Sequence, residues 1–207
     1  LKSDEKNLTI FDNFFHNNFL IPKTKISFFK ADHNYQNLLA TYTACKILKI
    51  TNKSFIKSIS SFKGLEHRLE KFAVFKNITF YNDSKATNMN SSKVALLNLK
   101  NIYWILGGRA KTDGIGDIRD SLEFVDRIFT YGEASKDFHT DLKEVKKTLS
   151  FNLIDEAFLE AFKTAKKESG KINIVLSPAC SSFDQFKNFE ERGKYFKKIV
   201  KEVIIKN

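Results

Sequence analysis

Two loops of the sequence carry charged and hydroxyl side chains that can bind a small anion. Asp83, Lys85 and Thr87 follow the apolar run ITFYN and precede a helix-like segment. The second loop, SPACSSFDQF at 177–186, follows the apolar run INIVL and contains Ser182. Ammonium groups, hydroxyls and the backbone amides at a helix start all suit a carboxylate ligand. These residue types therefore predict a pocket for an anionic small molecule.

A third polar loop contains Gly107, Gly108 and Lys111, and it follows the apolar run NIYWIL. The glycine pair invites comparison with phosphate-binding loops, but the pattern G-x-x-x-x-G-K-[ST] occurs nowhere in the chain. No complete phosphate cradle is therefore expected, and the role of the neighbouring Arg109 stays open.

Three further polar residues allow two interpretations each. Asn34 and Asn37 lie three positions apart near a helix start, where both amides can meet an adenine edge; alternatively, Asn34 caps the helix and Asn37 is merely exposed. Arg68 can reach a phosphate from a domain junction, or it is a surface ion-pair partner.

Asp83 and Cys180 could each have a structural role instead of a functional one. Asp83 is an acceptor suited to a sugar hydroxyl, or it serves as a turn or helix-cap residue. Cys180 has no histidine near it in sequence, which favours a buried structural thiol. With only two widely spaced cysteines and no His-rich tract, neither a disulfide framework nor a zinc site is expected, and no residue of this chain is assigned as a metal ligand.

The elements that must position these residues alternate between strand and helix after Gly64. This pattern predicts an α/β fold with a Rossmann-like, doubly wound and mostly parallel sheet, whose ligands bind beyond the carboxyl ends of the strands. The expected domains are 1–63 and 64–207, and residues 8–30 resemble a β-meander. Strands are expected at 69–75, 78–82, 101–106, 126–131, 147–151 and 172–176, and helices at 33–50, 53–62 and 154–168.

Composition bounds the partners. The net charge of +11 comes from 30 Lys and only 5 Arg spread along the chain, so a nucleic-acid partner is not expected. No apolar run approaches the roughly 18 residues of a membrane span, and a cytoplasmic location is expected. The chain begins with Leu1 and its single methionine is Met89, which suggests a fragment of a longer protein.

Five motifs in order resemble the Mur ligases, which build the peptidoglycan stem peptide. They are HN-x-x-N, H-R, NDSKATN, GG-x-x-K and SPACSSFDQFKNFEERG, spanning residue 33 to about 196, and they are most similar to the D-glutamate-adding branch. The resemblance implies that 1–63 ends a central ATP-binding domain and that 64–207 is the C-terminal amino-acid-binding domain. The phosphate loop and the magnesium ligands would then lie upstream.

The resemblance also implies an activity and residue roles. The implied reaction joins D-glutamate to UDP-N-acetylmuramoyl-L-alanine with ATP and Mg²⁺, through an acyl phosphate, in a monomeric enzyme, and the fragment alone would be inactive. By position, Asn34 and Asn37 would meet adenine, Asp83 the ribose and Arg68 the phosphates. Lys85 would lie near the phosphates and the reacting carboxylate. The carboxylates of D-glutamate would be held by Thr87, Lys111, Ser182 and the backbone amide of Phe189.

Two other functions are compatible with the sequence. One is a sister Mur ligase or a folylpolyglutamate synthase with another amino-acid substrate, since the loops around Thr87, Lys111 and Ser182 decide that choice. The other is a non-catalytic module that binds a nucleotide or nucleic acid, for which affinity for nucleic acid would fall steeply with salt.

Overall fold

The computed structural model describes residues 1–13, 18–26, 33–111 and 114–207. The chain forms two compact units, Leu1–Gly64 and Leu65–Asn207, and the break between them lies one residue after the boundary expected from sequence. No helix in the described ranges is long and apolar enough to cross a membrane.

The first unit combines a small sheet with two helices. Strands β1 (Lys2–Ser3), β2 (Asn7–Ile10) and β3 (Phe19–Pro22) form an antiparallel sheet in that order. A 3₁₀ turn at Lys23–Lys25 follows, and the helices are α1 (His33–Ile47) and α2 (Asn52–Ser61). Leu8, Ile21, Leu38 and Phe55 are buried together, so the inward faces of the sheet and the helices form one core. Part of the run KISFF, expected to be β-like, lies outside the described residues.

The second unit is built on a six-stranded sheet. Its strands are β4 (Glu70–Phe75), β5 (Ile78–Asn82), β6 (Ile102–Gly107), β7 (Val125–Tyr131), β8 (Lys147–Ser150) and β9 (Ile172–Leu176). Their order is β4-β5-β9-β6-β7-β8, and every neighbouring pair is parallel except β4 with β5. The α/β, Rossmann-like, mostly parallel sheet expected from sequence is confirmed.

Helices cover both faces of this sheet. Helices α3 (Met89–Asn98) and α4 (Ser135–Leu142) bury apolar side chains in a cluster around Trp104. Helices α5 (Ile154–Ala165) and α6 (Phe189–Ile205) do the same in a cluster around Phe80. The fully buried β6 is consistent with a strand sandwiched between two helical layers.

Two element boundaries differ from the sequence expectation because the backbone turns left-handed there. Helix α1 ends at Ile47 because Lys49 has φ 57° and terminates the helical path. Strand β4 begins at Glu70 because Leu69 has φ 43°, which no strand residue adopts. The link between β6 and β7 contains a 3₁₀ segment, Gly116–Ser121, in place of a full helix.

Candidate functional site

Three polar loops meet at one edge of the second unit. They are the Asp83 loop (83–88) after β5, the glycine loop (107–111) after β6, and the serine loop (177–188) after β9. Because β5, β9 and β6 are adjacent parallel strands, their carboxyl ends share one edge of the sheet. The chain leaves β5 toward one face and β9 toward the other, and a crevice opens at such a switch point.

Asp83 joins two of these loops to the turn that precedes β4. Its Oδ1 accepts the Leu69 N–H at 2.9 Å, and its Oδ2 accepts the Ser177 hydroxyl at 2.7 Å. The side chain is 8% exposed, and burial raises the pKa of Asp83 to about 6, although both hydrogen bonds oppose that shift. Asp83 is therefore a buried turn residue in this structure, and any ligand contact uses the remaining lone pairs of its oxygens.

Arg192 is the residue of the site that the sequence reading missed. Its side chain is fully buried; Nε donates to Ser84 Oγ at 2.9 Å, and Nη2 donates to the carbonyls of Ser84 at 2.8 Å and Cys180 at 3.1 Å. One guanidinium thus ties the Asp83 loop to the serine loop. A signal was present: on α6, Arg192 lies four residues before Phe196 and eight before Val200, on the apolar stripe of the helix.

The glycine pair permits close packing of the backbone. A Cβ on Gly107 would lie 1.9 Å from the Tyr131 carbonyl oxygen, and one on Gly108 would lie 2.3 Å from the Ser181 carbonyl oxygen. Beyond the pair, Arg109 exchanges backbone hydrogen bonds with Ser181, 3.1 Å each way. The pair therefore lets the glycine loop lie directly against its neighbours. This close packing accounts for the two glycines without a bound phosphate.

The side chain of Arg109, whose role was open, forms a surface ion pair. Its Nε and Nη2 donate to the two carboxylate oxygens of Glu133 at 2.9 and 2.8 Å. Both side chains are more than half exposed. This bidentate contact turns the guanidinium toward Glu133.

Lys85 and Phe189 lie together. The Lys85 Nζ is 4.8 Å from the centre of the Phe189 ring, within cation–π range, and the Phe189 carbonyl accepts the Ser84 hydroxyl at 2.8 Å. Phe189 is the first residue of α6, where backbone amides are available to a ligand, but Glu190 and Glu191 occupy the same turn. Lys85 therefore supplies positive charge beside this helix start.

Lys111 lines a cleft of about 670 Å³ beside the start of α3. The cleft also contacts Asn88, Lys93, Asp117 and Ala179. Asn88 caps α3 by accepting the Ser91 N–H at 2.8 Å, and no acidic residue occupies the first turn of that helix. Two lysines and the positive end of a helix dipole outweigh the single carboxylate of Asp117, so the cleft favours an anion.

The structure does not place all the expected carboxylate ligands in that cleft. Thr87 is half-buried and directly precedes the cap residue Asn88. Ser182 is buried in the serine loop, and its carbonyl accepts the N–H groups of Gln185 and Phe186. Neither is among the described residues that line the cleft around Lys111.

The nucleotide-contacting residues expected from sequence divide between the two units. Arg68 is exposed in the second unit and influences the Asp83 carboxyl electrostatically. In the first unit, Asn34 is the second residue of α1, and Asn37 is exposed while its carbonyl accepts the Thr41 hydroxyl at 2.8 Å. Across the described part of the chain, no group of three His, Cys, Asp or Glu side chains converges as a metal site.

Comparison with curated proteins gives the family. Over 170 residues, 82% of this chain, the sequence is 41% identical to the UDP-N-acetylmuramoylalanine–D-glutamate ligase of Rickettsia felis. It is 38% identical over 196 residues to the enzyme of the same name from Rickettsia prowazekii. The chain is a member of the Mur ligase family. It spans about two fifths of the length of these relatives, 38% and 44% respectively.

Solved structures of Mur ligases share the fold. The pseudomurein peptide ligase type C of Methanothermus fervidus superposes with a TM-score of 0.63 over 97% of this chain and 41% of its own, at 19% identity. MurF of Acinetobacter baumannii gives 0.62 over 96% of this chain and 42% of its own, at 17% identity. No protein-family model matches the chain.

Proposed function

We propose that this chain supplies the amino-acid-binding part, and a portion of the ATP-binding part, of a ligase that adds D-glutamate to UDP-N-acetylmuramoyl-L-alanine. The observation that carries the proposal is the Lys111 cleft, a cationic pocket at the carboxyl edge of the sheet in a chain whose curated relatives are named for that reaction. Residues 1–63 would end the ATP-binding domain, and 64–207 would bind the amino acid.

The carboxylates of D-glutamate are assigned to the loops around the cleft. Lys111 supplies charge, and the hydroxyls of Thr87 and Ser182 and the amide of Phe189 supply directional hydrogen bonds. Since Thr87 and Ser182 lie outside the lining of the cleft, the proposal requires the amino acid to extend from Lys111 toward the serine loop. Two anionic ends held several ångströms apart would fix which stereoisomer presents its amine correctly.

ATP is assigned to the remaining residues of the set. Asn34 and Asn37 would meet the adenine, Arg68 the phosphates, and Asp83 the ribose. Lys85, held over the Phe189 ring, would stand between the phosphates and the amino-acid site.

The reaction then proceeds by two transfers. The γ-phosphoryl group passes from ATP to the L-alanine carboxylate, giving ADP and an acyl phosphate. The amine of D-glutamate attacks the acyl carbon, phosphate leaves, and the amine loses a proton as the amide forms. Lys85 and Arg68 neutralise charge that develops on the phosphoryl group, and Mg²⁺, when bound, supplies further neutralisation. The substrates are small molecules of the cytoplasm, and the enzyme would act there as a monomer.

The test is release of ADP by the complete gene product. UDP-N-acetylmuramoyl-L-alanine and ATP–magnesium are supplied with D-glutamate, L-glutamate, meso-diaminopimelate, L-lysine or no amino acid. Release with D-glutamate alone is expected. Release with a different amino acid would identify a sister ligase, and no release with any of them would refute the proposal.

Lys111→Met sharpens this test. It should raise KM for D-glutamate by about tenfold or more, because a charge-assisted hydrogen bond to the carboxylate contributes about 1.5–3 kcal/mol. Lys201→Met, at an exposed position of α6, is the matched control and should leave KM within twofold. Equal effects of the two variants would remove Lys111 from the site.

A further inference from the structure

The turn that carries Arg68 has an unusual backbone. His67 and Leu69, on either side of Arg68, have φ 63° and φ 43°, both in the left-handed region. Such a conformation costs a bulky residue about 1–3 kcal/mol and persists only where surrounding contacts impose it. Two left-handed residues that flank one exposed arginine require an explanation.

Three backbone groups of this turn are held by other residues. The His67 N–H donates to Glu70 Oε2 at 3.1 Å, and its carbonyl accepts the Lys85 N–H at 3.0 Å. The Leu69 N–H donates to Asp83 Oδ1 at 2.9 Å. The turn is therefore fixed from both sides, and Arg68 is the residue at its centre.

The imidazole of His67 is held in one orientation and one protonation state. It is 3% exposed, and its Nδ1 lies 2.9 Å from Asn82 Nδ2. Asn82 Oδ1 accepts the Ser84 N–H at 3.2 Å, and Nδ2 also donates to the Gly193 carbonyl at 3.1 Å, so the Asn82 amide faces His67 with its donor. Nδ1 must therefore accept, which places the ring proton on Nε2. Burial lowers the pKa of His67 in the same direction.

The ring occupies a notch that only glycine leaves open. A Cβ on Gly193, in α6, would lie 2.3 Å from His67 Nδ1, 2.8 Å from Cε1 and 2.9 Å from Cγ. All three distances are far below van der Waals contact, and the imidazole is a rigid group without a free end. Any larger residue at this position would displace it.

We propose that Gly193 and Asn82 are positioning residues that act through His67 to hold Arg68 for an anionic ligand. The notch and the Asn82 hydrogen bond fix the imidazole, the imidazole fixes the left-handed turn, and the turn presents the Arg68 side chain to solvent. Within the described chain, the Arg68 guanidinium makes no hydrogen bond or ion pair of its own, so its charge is available. A polyphosphate as the ligand rests on the proposed function; the positioning itself does not.

The first measurement is the ¹⁵N NMR spectrum of the His67 ring in the 207-residue chain. The wild type should show a neutral ring with the proton on Nε2. Gly193→Ala should displace the ring, mix the two tautomers and move the pKa of His67 toward its ordinary value. Gly170→Ala is the matched control, because a Cβ there meets nothing within 4 Å. An unchanged His67 spectrum in Gly193→Ala would overturn the proposal.

Asn82→Asp tests the same point without added bulk. The aspartate can accept but cannot donate, so the His67 proton should move to Nδ1 and the pKa of His67 should rise. Retention of the Nε2 proton would contradict the assignment of Nδ1 as an acceptor. This variant also keeps the inference testable if Gly193→Ala does not fold.

The second measurement is binding of inorganic tripolyphosphate, followed by titration calorimetry in every protein and, in the wild type, also at the Arg68 Nε–H resonance. Gly193→Ala and Arg68→Ala should each weaken binding about three- to fivefold. The double variant should weaken it no further, because both substitutions remove the same contact between Arg68 and the ligand. Additive losses, or no response of Arg68 in the wild type, would overturn the inference. Because no ligase turnover is involved, a failure of the proposed reaction would be recognised separately.

Discussion

Arg192→Met tests whether one buried guanidinium holds two loops of the site together. Methionine fills most of the same space with an apolar chain and donates no hydrogen bond. The substitution removes the donors to Ser84 Oγ and to the carbonyls of Ser84 and Cys180. Ser84 Oγ still donates to the Phe189 carbonyl, so the two carbonyls are the groups left without a partner.

The expected loss follows from those two carbonyls. An orphaned buried acceptor costs about 1–3 kcal/mol, which gives about 2–6 kcal/mol for the pair. Part of this loss is offset because the substitution also removes the desolvation cost of a buried charge: within the described residues no carboxylate lies within ion-pair distance of Arg192. We therefore expect the free energy of unfolding to fall by about 3 kcal/mol and the Tm by about 9 °C for a unit of this size.

The fluorescence of the single tryptophan measures unfolding of the second unit, which contains Arg192. Trp104 is fully buried in β6, and its Nε1 donates to the Ser177 carbonyl at 2.8 Å, so its fluorescence should follow unfolding of residues 65–207 in urea. Arg119→Met is the control, since that exposed residue makes one long contact, 3.3 Å, to the Asp141 carbonyl. A loss below about 1 kcal/mol in Arg192→Met, or an equal loss in the control, would refute the reasoning.

Three further predictions use the same urea assay. Burial raises the pKa of Asp83 in the folded chain to about 6, above about 3.9 in the unfolded chain, so this carboxyl should contribute stability below about pH 4 that is lost as the pH rises through 6. Asp83→Asn should flatten that pH dependence, and an unchanged slope of unfolding free energy against pH between 4 and 7 would contradict the prediction. Gly107→Ala should lower stability by about 3 kcal/mol or more, since the new methyl group meets a backbone carbonyl at φ 144°, and a loss no larger than that of Gly170→Ala would show that the loop can relax. Arg109→Met should change stability by less than about 1 kcal/mol, because its ion pair with Glu133 is exposed, and a larger loss would assign the pair a structural role.

The sequence by itself determined the strands and the loops that matter. The run at 78–82 was expected as a strand and forms β5 with the same bounds, and INIVL forms β9 as expected. Apolar periodicity and turn residues are local properties, so they are readable without knowing what packs against them. The rule that ligands bind beyond the carboxyl ends of parallel strands then places the three loops at one edge from the sequence alone.

Only the tertiary structure decided what the side chains of those loops contact. Arg192 holds Ser84 across 108 positions, Asp83 meets Ser177 across 94, and the Asn82 amide reaches the Gly193 carbonyl across 111. None of these pairs follows from spacing, because each depends on where α6 and the serine loop pack against β5. Buried polar groups must find partners wherever the fold provides them, so their partners are fixed by packing and not by local sequence.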